Sequence, residues 1–123
     1  MRLPICPPAT QDIRLNLRNR QAAINAAMYG PANPGLPNTE YWKRLADRWG
    51  IKPSEAKTML CGNCGFFDVK PQTLACIAKG IGSQGIDPYD TIVQSGLGYC
   101  RAFQFKCAAK RTCSAWVTGG PIR

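Results

Sequence analysis

The residues of this chain best equipped for chemistry are its seven cysteines, at positions 6, 61, 64, 76, 100, 107 and 113. Cys61-Gly-Asn-Cys64 is a C-x-x-C loop, in which two intervening residues turn the chain back so that both thiolates can converge on one metal centre. Alone, the loop is compatible with a zinc knuckle, a redox dithiol or a pair of cluster ligands. A zinc ribbon calls for a second C-x-x-C, whereas the later cysteines are spaced Cys100-x6-Cys107 and Cys107-x5-Cys113. A thioredoxin-type dithiol calls for a strand before it and a helix after it, but Gly65, Phe66 and Phe67 follow here, a poor helix start. Histidine is absent, which removes His-ligated zinc, facial-triad iron, Rieske centres and His-based nucleophilic catalysis. The seven Asp and Glu residues stand one by one. No general base or activated nucleophile can be named, so the expected class is non-enzymatic, with no small-molecule substrate.

Aromatic residues accompany the cysteines. Phe66 lies two after Cys64, Phe103 three after Cys100 and Trp116 three after Cys113. Rings beside thiolates exclude water from a cluster, which protects it from hydrolysis and tunes its potential. The segments C61-G-N-C64-G-F66, G98-Y-C100-R-A-F103 and C113-S-A-W116 resemble the cluster motif of the high-potential iron-sulfur proteins: a C-x-x-C-x-F loop, a later G-x-C-x-x-F and a final C-x-x-W. The resemblance spans residues 60–117. It implies one 4Fe-4S cluster held by Cys61, Cys64, Cys100 and Cys113, with Phe66, Phe103 and Trp116 as its apolar wall. The chain departs from that family in its longer gap between Cys64 and Cys100 and in the additional Cys76 and Cys107. Cys76 is thus an alternative to Cys100 as third ligand, and zinc is the alternative metal. The family is exported and carries electrons, but the opening MRLPICPPATQDIRL has no apolar signal region, and reduced thiols are expected.

The segments YGPANPGLPNTEYWKRLADRWG and FKCAAKRTCSAWVTGGP are similar to small cysteine-rich proteins encoded by tailed bacteriophages. This second resemblance implies a structural virion component of the tail or baseplate, found in the virion and the host cytoplasm. Its partners would be other assembly subunits, and the cluster would staple its fold. A soluble electron carrier and a structural domain binding zinc through four cysteines are the alternative readings.

The scaffold that must position these residues is thin. Leu, Ile, Val and Phe together supply 24 of 123 residues, nearly matched by 22 Gly and Pro, and the net charge is +9. Such a chain sits near the disordered class, yet three Trp, four Tyr and seven Cys do not belong there. A staple or a partner must make up for the missing core. The expected fold is therefore small, α plus irregular. A helical N-terminal region, 1–59, serves docking or assembly; a loop-rich, cluster-stapled region with little sheet, 60–123, binds the cluster.

In the first region Thr10 is expected to cap a helix to about Met28, with Ile13, Leu17, Ile24 and Met28 on one face and Gly30 as its stop. Asn38 caps a second helix, whose stripe of Trp42, Leu45, Ala46 and Trp49 is either core or a partner-docking surface. KRLADRWGIKPSEAKTML has the outline of a helix-turn-helix on a basic chain, but its second helix ends after about two turns, too short to read a major groove. Specific nucleic-acid recognition is not expected. Gly80, Gly82 and Gly85 spell G-x-G-x-x-G, but ACIAK is a poor strand and Pro88 follows closely; the glycines are read as a loop. No apolar run is long enough to span a membrane.

Overall fold

The computed structural model describes residues 5–32, 34–82 and 87–123. Its helices are α1 (Pro8–Gln11), α2 (Ile13–Ala27), α3 (Thr39–Trp49), α4 (Pro53–Ala56), α5 (Pro71–Ile81) and α6 (Pro88–Ser95). Its strands are β1 (Phe67–Asp68), β2 (Leu97–Cys100) and β3 (Phe105–Ala108), and Cys61–Asn63 forms a 3₁₀ turn. The strands make one antiparallel sheet in the order β1-β2-β3. Phe67 faces Cys100, and Gly98 faces Cys107. No helix among the described residues is long and apolar enough to cross a membrane.

The N-terminal half is helical, as expected, but α5, α6 and the sheet make the C-terminal half more regular than its composition suggests. Helix α5 covers ACIAK, a segment that reads as a poor strand leading into a loop. Pro71 at its start carries no N–H to leave unpaired, and Leu74, Ile77, Ala78 and Ile81 recur at helical spacing on one core. Gly80, the first glycine of G-x-G-x-x-G, belongs to this helix, and a Cβ on it would overlap the carbonyl of Thr10. Its glycine thus serves close packing of α5 against α1. Gly82 follows at φ 77°, and Gly85 lies outside the described residues.

The same approach of α1 to α5 brings Cys6 and Cys76 together as a disulfide, with Cα atoms 5.4 Å apart. This corrects the expectation of seven reduced thiols. It also withdraws Cys76 as an alternative to Cys100, because its sulfur is committed elsewhere. Beside the bridge, Gln11 Nε2 donates to the carbonyl of Cys76 at 2.8 Å. The sequence offers no hint of this pairing, since 70 positions separate the partners.

Helix α2 is capped by Asp12 rather than Thr10. The Asp12 carboxylate accepts from the N–H groups of Arg14 and Leu15, 3.0 and 3.2 Å away, two of the donors a helix start leaves unpaired. Thr10 lies in α1 and donates to the carbonyl of Pro7. Met28, at φ 57°, ends the helix before Gly30. Its buried residues are Asn16, Ala23 and Ala27, whereas Ile13 and Leu17 are more than half exposed. The physical reason is the neighbour. Helix α2 packs on the free edge of the sheet, where the Lys106 N–H needs an acceptor and finds Asn16 Oδ1 at 2.7 Å.

Of the two readings of the stripe of Trp42, Leu45, Ala46 and Trp49, core holds and partner docking is corrected. Trp42 and Leu45 are fully buried, packed with Ala46 and Ala56 and flanked by Ile51 and Leu60. The single turn α4 folds back over α3 and covers them. Trp49 is half-buried, and its indole N–H donates to the carbonyl of Ser114 at 3.1 Å. The stripe is therefore an internal face.

The helices do not stand apart from the cysteine-bearing half. Ala23 and Tyr29 share a core with Cys61, Cys64, Phe67, Phe105 and Cys107. The Ser114 N–H donates to the carbonyl of Ala27 at 2.6 Å, and the Gly30 N–H to that of Thr112 at 3.1 Å. Gly30 has its own reason to lack a side chain, because a Cβ there would run into the Tyr41 ring.

Candidate metal centre

Three pieces of chain bring the cysteines into one place. Cys61 opens the 3₁₀ turn and Cys64 follows it, and the turn lies along the turn after β3: the N–H groups of Cys61 and Gly62 donate to the carbonyls of Arg111 and Ala109, at 2.6 and 2.9 Å. Gly62 permits this, since a Cβ would meet that of Ala109 at 3.0 Å. Gly65 is equally constrained, with the Thr118 carbonyl 2.8 Å from where its Cβ would be. Cys100 ends β2, Cys107 lies on β3, and Cys113 follows in the last loop. That loop is fixed by the Thr112 hydroxyl, which donates to the carbonyl of Met59 at 2.6 Å, and by the bonds to α2 described above.

Cys61, Cys64, Cys100, Cys107 and Cys113 all line one cavity, together with Phe66, Phe67, Ala102 and Ala115. The space left empty by atoms is about 270 Å³ with the open mouth included, of which about 20 Å³ admits the centre of a water molecule. A metal–thiolate bond, about 2.3 Å for zinc, is far shorter than a nonbonded contact. A covalently held centre would therefore use space that nonbonded shells otherwise fill. Among the described residues, no three His, Cys, Asp or Glu side chains are grouped as a ready-made site for a metal ion.

Of the residues expected as an apolar wall, Phe66 lines the cavity. Phe103 and Trp116 are partly buried and pack on the surrounding core instead. Phe67, which the cluster motif does not include, also lies in the lining. So does Cys107, which the motif leaves as an additional cysteine. The inward alternation of Phe105 and Cys107 along β3 is the signal available for Cys107.

Backbone amides point at two of the sulfurs. The Phe66 N–H is 3.5 Å from Cys64 Sγ, and the Phe103 N–H is 3.4 Å from Cys100 Sγ. Such donors favour the thiolate and tune any metal bound to it. Burial works the other way and dominates. It raises the Cys100 pKa, partly offset by the Phe103 and Ala102 amides. It pushes Cys113 up to about 12, against the pull of Ala115, with neighbouring cysteines adding to the rise. Cys107 is held well above the ordinary thiol value by the neighbouring Cys61 thiol and by burial. The thiols with resolved shifts stay protonated at neutral pH unless a cation draws them out as thiolates.

Around the centre, Asp68 is fully buried and paired with Arg101, whose guanidinium Nε lies 2.8 Å from Oδ2. This pair joins β1 to the turn after Cys100. Comparison with protein-family models, with curated proteins and with solved structures finds no match to this chain.

Proposed function

We propose that the protein is a non-enzymatic iron-sulfur protein, in which Cys61, Cys64, Cys100 and Cys113 hold one 4Fe-4S cluster that staples a small domain. The observation that carries this reading is the convergence of these four thiols on one cavity walled by sulfur and apolar carbon, with amides directed at two of them. Donor chemistry fits the group: thiolates are the ligands of such clusters, and water exclusion and N–H···S bonds are the levers by which proteins tune them. When bound, the cluster would supply covalent cross-links between three separate chain segments and a one-electron couple. The residues themselves release their thiol protons, orient their sulfurs and keep water away. A single zinc ion held by the same four cysteines is the lesser alternative, because the motif brings an aromatic ring with the ligand loops, as a water-excluding cluster site does.

In this reading the protein is a structural component of a tailed-phage virion, in the tail or baseplate, and assembles with other subunits. The support is the likeness of its two quoted segments to phage proteins and a core that needs a staple. Soluble electron transfer is the second reading. It is favoured by the cavity mouth, where Ala102 is exposed and Cys100 and Cys113 are only partly buried, so that a bound centre would lie near the surface.

Anaerobic purification with visible absorption and metal analysis tests the centre: brown protein with iron and acid-labile sulfide at about four each per chain is expected. Colourless protein with one zinc would replace it by the zinc reading. Presence in particles at a fixed symmetric copy number supports the virion role; absence from particles with reversible, salt-sensitive electron exchange supports the carrier.

A further inference from the structure

The cavity holds five thiols where a cubane cluster takes four ligands. They are not equivalent. Cys64 and Cys100 each receive a backbone N–H from two or three residues further on, and Cys113 is partly buried on the last loop. Cys61 and Cys107 instead lie buried in one core, on a turn and a strand whose neighbouring backbone groups are hydrogen-bonded.

Their proximity follows from the fold. The amides of Cys61 and Gly62 fasten the 3₁₀ turn to the carbonyls of Arg111 and Ala109 just beyond β3. Cys107 lies inward on that strand, opposite Gly98. Gly98 offers no side chain of its own, and the Phe67 ring takes that room, so Phe67 backs the same wall. Both sulfur-bearing residues are buried, at 9% and 2% exposure, within one core.

We propose that the fourth coordination position of the centre is shared, so that either Cys61 or Cys107 serves as ligand beside the fixed set Cys64, Cys100 and Cys113. This rests on the cluster reading above, and it departs from a fixed four-cysteine motif. The thiol that does not ligate stays in the wall as a small apolar group and a weak S–H donor.

The test is anaerobic reconstitution of the full chain with ferrous iron and sulfide, reading bound iron, acid-labile sulfide and the visible spectrum. Wild type must first take up iron and sulfide; a wild type that takes up neither overturns the cluster reading itself, independently of the sharing. Given that uptake, C61S and C107S should each keep wild-type iron content, whereas the C61S/C107S double variant and the single variants C64S, C100S and C113S should lose nearly all of it. Loss of iron in C61S with retention in C107S, or the reverse, overturns the shared position. So does retention in the double variant. Far-UV circular dichroism on each protein before iron addition separates failure to fold from failure to ligate. Where a serine variant does not fold, the alanine form, which buries no hydroxyl, takes its place under the same criteria.

Discussion

The indole N–H of Trp116 lies 2.9 Å from both the carbonyl of Leu60 and Oδ1 of Asn63. It therefore ties the loop of Cys113 to the loop of Cys61 and Cys64. Asn63 is itself fixed, accepting from the Leu60 N–H and donating to the carbonyl of Thr58. The bond holds two of the three cysteine-bearing segments in register without touching the cavity. Replacing Trp116 by Phe keeps the ring and removes the donor. The expected cost is about 1–2 kcal/mol in urea unfolding, with faster iron loss to a chelator from loaded protein. An unchanged unfolding midpoint and an unchanged chelation rate would show that the bond positions nothing.

Asp68 and Arg101 make the acid response of the fold predictable. Burial alone would raise the Asp68 pKa, but the Lys70 amide, the Arg101 guanidinium and the Thr73 hydroxyl outweigh it and hold the carboxyl below its usual value. A depressed folded pKa contributes stability that is fully present above the unfolded value, about 3.9, and is lost as pH falls through the lower folded one. The stability difference between wild type and D68N should therefore be constant from neutral pH down to the ordinary carboxylate range and shrink below it. R101M leaves the buried carboxylate without its cation, and the expected loss is roughly 3 kcal/mol. Both are read by denaturant titration across pH. A D68N profile parallel to wild type at all pH values would sink the assignment.

The Cys6–Cys76 bridge closes a loop over a separation of 70 positions. In the chain-entropy account, such a cross-link stabilises by about 4 kcal/mol. C6A/C76A protein should unfold at correspondingly lower denaturant, and reductant should lower the wild-type midpoint while leaving that of the double variant unchanged. Iron content should not change in C76A, because Cys76 does not line the cavity. Loss of iron in that variant would return Cys76 to the ligand set.

Thiol reactivity reads the cavity without any metal. Only the thiolate attacks an alkylating reagent, and Cys113 is pushed up to about 12. In metal-free protein its alkylation rate, followed by peptide mass mapping, should rise about tenfold per pH unit, with no plateau near the free-thiol value of about 8.5. Loading should block the reaction and release protons, so metal affinity should weaken as pH falls. A plateau near the free-thiol value would mean that Cys113 does not sit in a desolvated wall.

Much of the local structure is legible in the residues. Helix α3 ends in Gly50 at φ 69°, as its sequence suggests, whereas α4 stops at Ala56, shorter than the two turns expected before Cys61-Gly62. The C-x-x-C loop with its two glycines announces a turn carrying two thiols. Other features mislead for identifiable reasons. Ile13 and Leu17 mark an apolar face by periodicity, but α2 meets a strand edge whose unpaired amide selects Asn16, with Ala23 and Ala27 small enough to bring the backbones close. ACIAK reads poorly as a strand because it is the apolar stripe of a helix started by Pro71.

Residue types alone set which chemistry is open to this chain: thiol chemistry without histidine, on a core poor in branched aliphatics. They also mark the local turns, because φ-permissive glycines and N-terminal prolines act within a few residues. Which cysteines meet is a matter of the folded chain. Cys6 pairs with Cys76, Cys107 joins the four motif cysteines, and Trp42 and Leu45 turn inward under Ala56. These outcomes depend on distances between segments far apart along the chain. Such distances are set by how close a glycine lets two backbones come, as Gly80 does at Thr10 and Gly62 at Ala109, and no local pattern encodes them.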